Sequence, residues 1–138
     1  MIQRILLAYD GSAASDKAAT LAIDIALKYG AHISVISVAR PPEVGDDVET
    51  EAVIENSRAF HKSLLEPLRK RFAGLKLSTS LDVLVGHPTE QIIAEAERQH
   101  VDLIVLGHRG KTLFQRFRLG SVSKQVVQYA ECPVLVVR

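Results

Sequence analysis

Leu103-Ile104-Val105-Leu106-Gly107-His108-Arg109-Gly110, followed after Lys111 to Leu119 by Gly120-Ser121-Val122-Ser123, is the stretch from which the rest of the chain can be ordered. A short apolar run enters a loop that holds three glycines and closes on two serines, and Val122 to Tyr129 can form a helix. Strand, glycine loop and helix are the parts of an anion cradle. Glycine has no Cβ, so Gly107, Gly110 and Gly120 can take positive φ and let main-chain N–H groups come close to an anion. Ser121 and Ser123 stand where the next helix begins, beside unpaired N–H groups and the positive end of the helix dipole. Their hydroxyls can cap the helix, bind phosphate, or do both. An ordinary strand-to-helix loop satisfies the same short pattern. A Walker loop does not, because it needs glycine five residues before Gly110 and Val105 is there. Lys111-Thr112 is therefore not a P-loop lysine with its magnesium hydroxyl.

The chain of 138 residues suits one domain with a core of useful size. Its apolar fraction of 47% and charged fraction of 24% are those of an ordinary globular protein. A net charge of +1 gives no support to a nucleic-acid surface. No run approaches the ~18 apolar residues that span a membrane, and Ile5 to Tyr9 is too short for a signal-peptide core. The expectation is a soluble cytoplasmic protein with neither a nucleic-acid nor a membrane partner. Cys132 is the single cysteine, which excludes an internal disulfide, and it reads as a small buried hydrophobe.

Working outward, Ile5 to Tyr9 is a continuous apolar run, as in a strand covered on both faces, and Asp10-Gly11-Ser12 stops it. Ala14 to Tyr29 has helical spacing, with Ser12 or Ser15 as cap and Gly30 as terminator. His32 to Val38 is β-branched and reads as the second strand, and Arg40-Pro41-Pro42 forces an extended exit. Glu43 to Glu51 is acidic, a surface loop that serves either as a lid or as a solvated linker. From Val48 or Ala52 to Phe72 the pattern is helical, with a kink or break expected near Leu65 because of Pro67. Leu77 to Val85 reads as the third strand, and Pro88 and Glu90 open a helix that ends near His100. Val101 to Leu106 is the fourth strand and Pro133 to Val137 the fifth. This alternation argues for an open parallel five-stranded sheet with helices on both faces, an α/β fold in one domain. In such sheets a ligand binds beyond the carboxyl ends of the strands, where the order reverses. With the first and fourth strands adjacent, Asp10 and Gly107 would face one crevice.

Gly107, Gly110, Gly120 and Ser121 fit the spacing Gly-x2-Gly-x9-Gly-[Ser/Thr] at every defined position. Together with Asp10-Gly-Ser12, Val85-Gly-x-Pro88, Asp102 to Gly107 and Cys132 to Val137, they make the chain resemble the ATP-binding subgroup of the universal stress protein family, nearly end to end. That resemblance implies a Rossmann-like sheet in the order 3-2-1-4-5. It implies ATP, with Mg2+ accompanying the triphosphate, and a ribose contact at Asp10. Val38 matches the position whose main chain meets adenine, and Ala8 stands where many members have proline. Gly107, Gly110, Gly120, Ser121 and Val122 match phosphate-binding positions, and Ser123 is a plausible addition. Arg109 and His108 lie in the cradle loop, where their side chains either touch phosphate or face solvent. Arg116 and Arg118 read as a solvated face, His61 and Lys62 as exposed helix positions, and His87 and His100 as histidines without metal-ligand companions. The resemblance also implies a homodimer through the last strand, Val134, Leu135, Val136 and Val137, and an uncovered apolar edge strand calls for a partner in any case. The function expected is a nucleotide-dependent stress-response module with little turnover. The alternatives are a slow ATPase or phosphotransferase and a dimeric interaction protein that binds no nucleotide.

Overall fold

The computed structural model describes residues 1–41, 48–108 and 120–138, and the side chains of 48–50 are outside that description. In chain order the elements are β1 (Arg4–Ala8), α1 (Ala13–Tyr29), β2 (His32–Ala39), α2 (Val48–Ala73), β3 (Thr79–Val85), α3 (Pro88–Gln99), β4 (Leu103–Gly107), α4 (Ser121–Tyr129) and β5 (Val134–Val137). The strands form one parallel sheet in the order β3-β2-β1-β4-β5. That is the predicted order, and it makes β1 the neighbour of both β2 and β4.

The central strands are apolar on both faces because both faces are covered. Ile5, Leu7, Ile33, Val35 and Val105 pack with α1 and α2, while Leu6, Ile36, Ile104 and Leu106 pack with α3 and α4. The buried side of α1 is built from Ala18, Ala19, Ala22 and Ala26, which lets this helix lie close to the sheet. Ser12 caps it, its Oγ accepting the Ser15 N–H at 3.1 Å, and Gly30 ends it at φ 66°. The Asp102 carboxylate accepts the N–H groups of Gln3 (2.8 Å) and Arg4 (3.0 Å), clipping the start of β1 to the start of β4. Those bonds hold the Asp102 carboxyl below its usual range.

Several expectations are corrected. α2 starts at Val48 and runs through Pro67 without a break. Pro67 is on the exposed face, as is Ser63, whose carbonyl the proline cannot bond, so water can satisfy that group. On the inner face Leu65, Leu68 and Phe72 anchor both sides of the proline in the core. β3 begins at Thr79, two residues later than the sequence suggests, and β4 extends to Gly107. Cys132 is half-buried beside the α3–α4 core, and burial raises its thiol pKa. The acidic segment read as a lid or linker lies outside the described residues as far as Asp47, and its last residues belong to α2. Among the described residues no helix is long and apolar enough to cross a membrane.

Candidate functional site

The connections from β1 and β4 leave on different faces of the sheet, and a crevice opens between them at the carboxyl ends of these strands. Its apolar wall is formed by Ala8 on β1 and by Ile36 and Val38 on β2. Asp10 and Ser12 border it from the β1–α1 turn, and Gly107, Gly120, Val122 and Ser123 border it from β4 and the start of α4. The sheet thus brings together residues far apart in sequence. Ser121 opens α4 and is exposed. Arg109, Gly110, Arg116 and Arg118 lie outside the described residues.

Local chemistry explains how each part is held. The Asp10 carboxylate accepts the Ser12 N–H at 2.9 Å, a short turn that keeps it at the mouth of the crevice. Gly11 follows with φ 82°, and a Cβ there would lie 2.9 Å from a Leu64 methyl group, so α2 packs directly on this turn. Gly120 precedes α4 in an extended conformation, and α4 has no side-chain cap. Helix first-turn N–H groups lack intrahelical partners, which makes this terminus suited to an anion. Ser123 is 2% exposed, and its Oγ donates to the Gly107 carbonyl at 3.0 Å, tying α4 to the end of β4.

The glycines are needed for a different reason from the one expected. Among the described residues positive φ occurs at Gly11, Gly30, Gly86 and His100, not at Gly107 or Gly120. Gly107 is required by close packing, since a Cβ would stand 2.6 Å from the Ala14 carbonyl carbon and 2.7 Å from the Ser15 nitrogen. At Gly120, with φ −58°, a side chain is conformationally allowed.

Two histidines are placed differently from the sequence expectation. His61 is half-buried on the inner face of α2, with Nδ1 2.7 Å from Ser37 Oγ, and burial lowers its pKa against the opposing pull of the Asp10 charge. Its spacing from Leu65, Leu68 and Phe72 carries that signal, because all four share a helical stripe. His108 is 5% exposed rather than solvent-facing; its N–H donates to the Val137 carbonyl at 2.6 Å, and its Nε2 has no partner among the described residues. Alternation with Ile104 and Leu106 assigns it to the α3–α4 face. No cluster of three metal-ligating side chains occurs among the described residues.

The family model for universal stress proteins matches residues 1–138, the whole of this chain. The chain belongs to the universal stress protein family. A universal stress protein of Methanocaldococcus jannaschii is 36% identical over 143 residues, covering 100% of this chain and 83% of the relative. Among solved structures, a universal stress protein from Lactobacillus plantarum superposes with a TM-score of 0.88 at 25% identity, covering 99% of this chain and 98% of that one. A universal stress protein solved in complex with cAMP shares the fold, with a TM-score of 0.75 at 23% identity and coverage of 99% and 97%.

Proposed function

We propose that this universal stress protein is a regulatory module that binds ATP, turns it over little, and acts as a homodimer. The observation that carries the reading is the single crevice bordered by Asp10, Gly107, Gly120 and the uncapped start of α4, with an apolar wall behind it. Each part suits one portion of the nucleotide. Asp10 would accept ribose hydroxyls, Ala8 and the main chain at Val38 would meet adenine, and Gly107, Gly120, Ser121, Val122 and Ser123 would hold the phosphates, with Arg109 and Gly110 completing the loop. Mg2+ would accompany the triphosphate through phosphate oxygens and water. The cAMP complex of a fold relative supports an adenine nucleotide as the ligand class.

The low turnover proposed rests on the groups described at the crevice. Two histidine–serine pairs at 2.7 Å occur among the described residues: His61 with Ser37, where Ser37 is 1% exposed beneath α2, and His32 with Ser78, which lies at the start of β2, at the opposite end of the sheet from the crevice. The proposed dimer pairs β5 with β5 of a second copy, since β5 is at the sheet edge and Val134, Leu135 and Val136 are half-buried.

Thermal unfolding with and without Mg-ATP, AMP and cAMP tests the reading, followed by circular dichroism because the chain has no tryptophan. At a hundred times its dissociation constant a ligand stabilises by about 2.7 kcal/mol, a shift of about 5–10 °C at this size. Gly120→Val tolerates its backbone angles but fills the cradle, so it should fold and lose the ATP shift. Rapid magnesium-dependent hydrolysis abolished by Asp10→Ala would replace the module with an ATPase. No shift with any nucleotide would leave a dimeric interaction protein.

A further inference from the structure

α3 and α4 lie side by side on the sheet, and an open groove runs between their outward surfaces. Its two halves adjoin at Ile93 and Glu97, which border both of them. One half extends toward His87, with Tyr129 of α4 on its far side, and the other reaches His100 and Cys132. Together the halves reach from His87 to His100, the caps of the 12-residue α3. At about 1.5 Å per residue that is roughly 18 Å, the length of a helix of three to four turns.

The floor is apolar in the half toward His100, with Ile93, Ala96, Val101 and Ile104; in the other half Thr89 donates to Gln125 Oε1 at 2.7 Å, bridging α3 and α4, and Tyr129 stands 60% exposed at the side. The borders carry Glu90, Glu97 and Glu131, all exposed, and no Lys or Arg is among the described residues that line the groove. The nearby Glu95 is paired with Arg98, whereas none of the three border carboxylates is in an ion pair among the described residues. In a chain whose net charge is +1, three carboxylates without an ion-pair partner among the described residues border this strip, together with His87 and His100 at its two ends. Glu90 and Glu97 are also two helical turns apart, on the same side of α3.

We propose that this groove docks a basic amphipathic helix of a partner protein. Its apolar stripe would cover the floor and Tyr129, and Lys or Arg residues seven apart would meet Glu90 and Glu97, with Glu131 receiving a third cation at the other end. Apolar contact supplies affinity in such helix-in-groove docking, and the carboxylates select for a basic partner and set its register.

The test uses the full chain and a fluorescein-labelled amphipathic helical peptide of leucine and lysine, with the same peptide bearing glutamate for lysine as its opposite. Anisotropy titration should show saturable binding of the lysine peptide, weakened by salt, and at least about ten-fold weaker binding of the glutamate peptide. Glu90→Lys with Glu97→Lys should weaken the lysine peptide about ten-fold or more. Ala94→Trp, which fills the groove at an exposed helix position without changing charge, should do the same. Asp24→Lys with Glu66→Lys makes the same charge change on α1 and α2 and should leave binding intact. Circular dichroism melting establishes that each variant is folded. Equal loss in the α1–α2 control, indifference to Ala94→Trp, or no binding of the lysine peptide would overturn the proposal. So would a self-associating chain that Glu90→Lys with Glu97→Lys makes monomeric, because the occupant would then be a second copy.

Discussion

Protonating His61 means placing a charge between α2 and the sheet, next to Ser37 at 1% exposure. Burial lowers its pKa from the ordinary 6.5, and the Asp10 carboxylate at the β1–α1 turn only partly offsets that. The sign of the consequence follows. Below pH 6.5 the unfolded chain takes up a proton that the folded chain resists, so stability present above that pH is lost as pH falls through the folded-state pKa. Urea unfolding at about pH 7.5 and pH 5.5 should show a larger loss for wild type than for His61→Asn, which keeps a hydrogen-bonding group and does not titrate. Equal losses would remove this role from His61. The residue's inward position was legible in its spacing from Leu65 and Leu68, whereas the need for glycine at 107 was not. That need comes from Ala14 and Ser15, ninety residues away in sequence, lying under 3 Å from where a Cβ would be.

A helix that carries a proline through its interior shows how an element can override its own local sequence. Pro67 forfeits a backbone hydrogen bond and crowds the preceding turn, a cost of about 3 kcal/mol relative to alanine. The 26-residue α2 nonetheless continues past it to Ala73, since Leu65, Leu68 and Phe72 are buried on its inner face, each at 5% exposure or less. A buried side chain of this kind contributes about 1.5–3 kcal/mol, enough in combination to offset the proline. Pro67→Ala should therefore raise stability by about 2 kcal/mol after allowing for the freer unfolded chain, measured as a higher urea midpoint with an unchanged slope. An unchanged or lower midpoint would mean that the proline geometry is itself part of how α2 sits on the sheet. Element type was readable from periodicity throughout the described chain. Element ends were less so: β3 starts only where Thr79 finds Ile33 as its partner, a pairing that no local pattern announces.

At the scale of the molecule, the parallel sheet leaves β5 with one ladder used and one free. The bonds Ile104 N–H to the Pro133 carbonyl (3.0 Å) and His108 N–H to the Val137 carbonyl (2.6 Å) show that alternate residues of this segment face β4. Val136 is out of phase with them, so its N–H points to the open edge. If β5 pairs with a second copy as proposed, Val136→Pro removes a donor from that pairing and none from the β4 ladder. Sedimentation should then find a folded monomer in place of a dimer, and a dimer that survives the change would move the interface elsewhere. The same arrangement marks how far the chain could be read in advance. Alternating apolar runs and helical stripes determined by themselves that this is a parallel α/β sheet, because burying both faces of a strand demands that pattern. The glycine and serine spacing marked Gly107, Gly120 and Ser123, which border the crevice. The family resemblance supplied the strand order that sets β1 between β2 and β4 and Asp10 opposite Gly107, and only the tertiary structure decided that Gly107 is set by the approach of α1 and that Glu90, Glu97 and Glu131 share one groove. These are contacts between residues distant in sequence, and the packing of whole elements, rather than any local preference, brings them together.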